Sequence, residues 1–198
     1  MDLKTHLNIS NILLDNLART TGVNLSPFWF RLGSITPDLH PYHRIQPHHA
    51  KHSKKHIEKY INRIKRSKLG QNRLALYLGI TSHFISDTFC LMHNHEIGKN
   101  LFHHARYEDR LSRFFASFSD HLCFISTGIS SHFDEAEGKN ITAYIMEENQ
   151  RYNASQQHIS EWESMTTDIS YTVHMCLNVL TEMLTKKQPQ VWSTEPAA

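Results

Sequence analysis

At 198 residues and 39% apolar content, the chain is long enough to bury a core and short enough for one domain, at most a large helical bundle. A net charge of +2 with neutral histidines is too mild to demand nucleic acid or an anionic membrane as a partner. No run approaches the ~20 apolar residues of a membrane span, and three scattered cysteines, Cys90, Cys123 and Cys176, support neither a disulfide framework nor a zinc ribbon. The first residues, Met1-Asp-Leu-Lys-Thr-His6-Leu, lack the basic patch and apolar run of a secretory signal, so a cytoplasmic location is expected.

Leu7, Ile9, Ile12, Leu13, Leu14 and Leu17 recur at helical spacing over residues 4–20, and Thr21-Gly22 ends the pattern. Pro27, Pro37, Pro41 and Pro47 then predict an irregular stretch, with Phe28 and Trp29 as core residues. Residues 51–67 predict a basic helix whose buried stripe is Ile57, Tyr60, Ile61 and Ile64, with Lys54, Lys55, Arg63, Lys65 and Arg66 on its solvated face. Gly70 separates it from the most apolar segment, Asn72 to Met92. A loop around His93 to Lys99 leads to a helix from about Leu101 to Leu122, and residues 124–139 are ambiguous. Helices are expected at 140–155 and 158–186, the second with Ile159, Trp162, Ile169, Val173, Leu177, Leu180 and Leu184 on its apolar face, and Met165, Met175 and Met183 as core filling. No segment alternates like a strand. The expected architecture is all-α: one multi-helix bundle over residues 1–188, built around a polynuclear metal site, with a disordered tail at 189–198.

Sixteen histidines carry the functional signal. His83-Phe-Ile-Ser-Asp87 and His104-Ala-Arg-Tyr-Glu108 each place an imidazole and a carboxylate four residues apart, on one helix face. Leu76, Ile80, His83 and Asp87 follow one another at steps of four, three and four, so the first pair extends an apolar stripe and points inward. A lone carboxylate there is costly, whereas a metal ion would pair it. Imidazole and carboxylate are the donors zinc accepts. His93 lies between the pairs, His6 interrupts the apolar side of the first helix, and Asp38 precedes a loop holding His40, His43, His48, His49 and His52. Either pair alone is more often a surface ion pair. Their joint occurrence points to metal. His121, His132, His158 and His174 stand alone as ordinary surface or packing histidines.

The order His6, Gly33-x-x-x-Pro-Asp38, a following histidine, Leu78-Gly79-x-x-x-His83-x-x-x-Asp87, His93 and His104-x-x-x-Glu108 resembles the zinc-dependent phospholipase C superfamily, which includes the fungal single-strand nucleases. The resemblance implies an all-α bundle holding two or three zinc ions in a cleft that hydrolyses phosphodiesters. It implies a first zinc on His83, Asp87 and His48, with His49 as the alternative to His48, and a second on His93, His104 and Glu108. His6 and a bridging Asp87 would serve a third, to which secreted members add an N-terminal tryptophan that this chain does not have ahead of His6. Asp38 matches the family's acidic residue at the catalytic water.

The expected chemistry is hydrolysis of a phospholipid-headgroup ester, a nucleotide or another small phosphodiester by a metal-activated water, with Asp38 as general base. No stable nucleic-acid complex is expected. The alternative is a helical protein of the same fold that keeps zinc without turnover.

Overall fold

The structure is a computed structural model, and it describes residues 1–39, 50–94, 101–118 and 140–186. All regular elements among these residues are helices: α1 (Leu3–Thr21), α2 (Pro27–Leu39), α3 (Ala50–Arg66), α4 (Gln71–Thr88), α5 (Leu91–Asn94), α6 (Leu101–Phe118), α7 (Ile141–Ser155) and α8 (Glu161–Thr185). The all-α expectation holds. None of these helices is long and apolar enough to cross a membrane. The sequence signals that start and stop them act as capping chemistry requires. The Asp2 side chain accepts from the Thr5 N–H at the head of α1, Gly22 closes it in the left-handed region at φ 70°, and Ser160 with Glu163 forms a capping box on α8.

The proline-rich stretch is the main correction. Residues 27–39 form a helix, not an irregular segment. Pro27 is its first residue, where the missing N–H costs nothing, and Pro37 falls in the last turn, where only one intrahelical bond is lost. Phe28 is exposed rather than core, while Trp29 beside it is half-buried. Trp162 also lies outside the core, packed edge-on against Phe114 with ring centroids 4.4 Å apart.

α4 is the central helix. Every residue from Gly79 to Thr88 is buried, so its surface is covered all round. Its hydroxyls are satisfied on its own backbone, Thr81 to Tyr77 O, Ser86 to Ser82 O and Thr88 to Phe84 O, so their burial leaves no lost hydrogen bond. Ile57, Ile61 and Ile64 of α3, and Met165, Met175 and Met183 of α8, are buried as their spacing predicts. The described cysteines, Cys90 and Cys176, are buried free thiols.

Two glycines set how closely α2 and α4 approach. A Cβ on Gly33 would stand 2.2 Å from the carbonyl oxygen of Leu76, and one on Gly79 would stand 2.1 Å from that of Phe30. Both obstacles are backbone, so neither can swing aside. The crossing draws the end of α2, with Asp38, against the turn of α4 that carries His83. Gly79→Ala is therefore expected to cost about 1–3 kcal/mol by forcing the helices apart, measurable as a lowered urea midpoint. An unchanged midpoint would show that the crossing relaxes freely.

Candidate metal centre

Six side chains from four helices converge in two sets. His6 of α1 joins His83 and Asp87 of α4, and His93 of α5 joins His104 and Glu108 of α6. Within each set the donor atoms lie within 4.8 Å of one another. His6, His83, Asp87 and His93 are buried, while His104 and Glu108 are partly exposed and form the side open to solvent. Asp38 lies at this centre too, its carboxylate oxygens 3.6 Å from His83 Nε2 and 3.9 Å from His6 Nε2.

The distances suit a shared cation. Two donors each bound at 2.0–2.1 Å to one tetrahedral zinc stand about 3.4 Å apart. His83 Nε2 is 3.3 Å from Asp87 Oδ2, His6 Nε2 is 3.4 Å from Asp87 Oδ1, and His93 Nε2 is 3.3 Å from Glu108 Oε1. His104 Nε2 sits closer to the same oxygen, at 2.9 Å. His83 donates its Nδ1–H to the backbone carbonyl of Ser34 at 2.8 Å, which turns Nε2 toward the carboxylates. Metal-ligating histidines are fixed in the same manner. The His6 ring stacks on that of His83 with centroids 4.1 Å apart.

The α-amino group of Met1 enters the same centre. It donates to Asp87 Oδ1 at 2.8 Å, lies 3.1 Å from Glu108 Oε1, and is 2.9 Å from His93 Nε2, which accepts. Two carboxylates and an imidazole lone pair thus already surround a positive charge. The donor set fits a bound cation on this observation.

Electrostatics divides the imidazoles. Burial, reinforced by the neighbouring charge on His83, pushes His6 down to about 3, so it stays neutral. Burial and the Met1 ammonium likewise hold His93 below its usual value against the pull of Asp87 and Glu108. For His83, burial works downward but the Asp87 and Asp38 carboxylates outweigh it and raise the ring. Burial alone would raise both carboxyls, yet the Met1 ammonium and adjacent histidines hold Asp87 and Glu108 below the usual carboxylate range. The carboxylates of Asp87 and Glu108 are held ionised and the rings of His6 and His93 neutral, the states in which they can bind a metal, while His83 is held toward its protonated form.

His6, expected to share a third ion with a bridging Asp87, lies in one group with His83 and Asp87. His48 and His49, with His40 and His43, lie outside the described residues, as does the side chain of His52. Sequence spacing gave no hint of the Met1 amine, because a backbone group leaves no side-chain signal. A family model described as zinc-dependent phospholipase C matches residues 5–172. No curated protein and no solved structure matches the chain.

Proposed function

Because the chain belongs to the zinc-dependent phospholipase C family, we propose that it is a zinc-dependent phosphodiesterase acting on phospholipid headgroups or other small phosphodiesters. The observation that carries this is the pair of sets, each of two imidazoles and one carboxylate, meeting at Asp87, the Met1 amine and Glu108. His6, His83 and Asp87 would hold one zinc, and His93, His104 and Glu108 a second; the further ligand expected at His48 or His49 lies outside the described residues. Zinc bound there supplies Lewis-acid neutralisation of phosphate charge and a water of lowered pKa. The remaining chemistry belongs to the chain. Asp38 faces the centre from the end of α2, partly exposed, so its carboxylate can orient a water and take its proton. The partly exposed His104 and Glu108 leave the second set accessible to a phosphate, while the buried His6, His83 and Asp87 hold the first rigid.

The test is metal content together with a phosphodiester panel. Purified protein is expected to carry at least two equivalents of zinc, to hydrolyse at least one phosphodiester, and to lose both melting temperature and activity when the metal is chelated, since ligation energy is folding energy. Less than one equivalent, with none taken up on reconstitution, would remove the zinc reading. Two equivalents with no turnover on any ester would favour a zinc protein without catalysis.

A further inference from the structure

A carboxylate that belongs to neither metal set ties together both chain segments that carry the second one. Asp168 of α8 is fully buried. Its Oδ2 accepts from the backbone N–H of Leu91 at 3.0 Å and from the Tyr107 hydroxyl at 2.9 Å. Its Oδ1 accepts from the Tyr152 hydroxyl at 2.6 Å and from Gln156 Nε2 at 3.1 Å. These four donors, joined by the Cys90 thiol, surround the carboxyl, while burial pushes its pKa up to about 7. Packing alone does not call for this, because a well-fitted apolar side chain avoids the desolvation cost of a buried polar group.

What the four donors are attached to is informative. Leu91 opens α5, the single turn that presents His93. Tyr107 sits on α6 immediately before Glu108 and one turn after His104. Tyr152 and Gln156, at the end of α7, both donate to the other oxygen, Oδ1. Alongside, Asn94 Nδ2 donates to Thr88 O and Cys90 O, and Asn149 Nδ2 donates to Thr88 O, which pins the corner between α4 and α5. None of the four donors to Asp168 comes from α1 or α4, which carry His6, His83 and Asp87.

We propose that Asp168 is the positioning residue of the second metal set, fixing α5 against α6 so that His93, His104 and Glu108 face one ion. The inference rests on the zinc reading above and adds an asymmetry to it. Loss of Asp168 should loosen one ion and leave the other in place. Outer-shell partners of metal ligands typically contribute 10–100-fold in affinity.

The experiment is zinc titration of the full chain under chelator competition, with ring ¹⁵N NMR of the histidines, on wild type, Asp168→Asn, Tyr107→Phe and Leu180→Ala. Leu180 is a buried residue of the same helix and serves as a destabilised control. In Asp168→Asn one equivalent should weaken about 10–100-fold, with the His93 and His104 nitrogens moving to unligated positions while His6 and His83 stay ligated. Tyr107→Phe removes only the tie to α6 and should show a smaller loss at the same set, even if Asp168→Asn fails to fold. Leu180→Ala should lower the melting temperature and keep both ions. Unchanged binding in the Asp168 and Tyr107 variants, or equal weakening at both sets, would overturn the inference while leaving the zinc reading intact. A wild type that takes up no zinc would overturn both.

Discussion

Asp87→Asn is expected to remove the zinc assigned to His6, His83 and Asp87 and, separately, to destabilise the metal-free protein by about 3–5 kcal/mol, the usual cost of removing one partner from a buried ion pair. Asp87 stands between the two sets. Its Oδ1 meets the Met1 ammonium at 2.8 Å and lies 3.4 Å from His6 Nε2 and 3.8 Å from His93 Nε2, while Oδ2 faces His83. Asparagine keeps the shape but discards the charge, so the ammonium is left with Glu108 as its nearest carboxylate. The pH dependence has a definite sign. The Asp87 carboxyl is depressed below 3.8, so its contribution is present above that pH and is lost as pH falls through the lower folded value. The Met1 amine is raised above 8.0, so its contribution is present below that pH and fades as pH rises through the higher folded value. The stability gap between wild type and Asp87→Asn, measured by urea titration without metal, should therefore be widest between about pH 4 and 8. A gap that is flat from acid to alkaline pH would show that the pair contributes nothing.

Period and caps were enough to locate α1, α3, α4, α7 and α8, because each buries one stripe or, for α4, its whole surface. Spacing does not reveal α2, because its prolines read as breakers although Pro27 and Pro37 occupy the two ends where a helix tolerates them. The consequence reached the site: Asp38 is held by a helical turn instead of a loose loop. The pairing of His83 with Asp87 and of His104 with Glu108 was legible since helical spacing fixes both at once. His93 depends on a tertiary tie through Leu91 and Asp168, and spacing could place it no better than on a loop. Asp168 itself could have been found. It follows Met165 by three residues and precedes Thr172 by four, so it lies on the buried face of α8, the same anomaly that marked His83 and Asp87. Its partners, two tyrosines and a glutamine from other helices, were beyond any local pattern.

Asp38→Asn is expected to lower kcat by about 10²–10⁴-fold, the range general-base assistance contributes, while both zinc ions remain. Two features of the structure support that division. Both Asp38 oxygens lie farther from the ring nitrogens, at 3.6 and 3.9 Å, than the 3.3 and 3.4 Å at which Asp87 meets the same rings. Asp38 is also 23% exposed where Asp87 is 1%, so only Asp38 can exchange a proton with solvent after each turnover. Because α2 holds the carboxylate through the Gly33–Gly79 crossing, asparagine should occupy the same place and still orient a water without accepting its proton. The measurement is kcat on the best phosphodiester found, with zinc quantified in the same sample. Loss of a full equivalent would make Asp38 a ligand and send the search for the base elsewhere. Turnover within a few fold of wild type, with zinc intact, would remove Asp38 from the chemistry altogether.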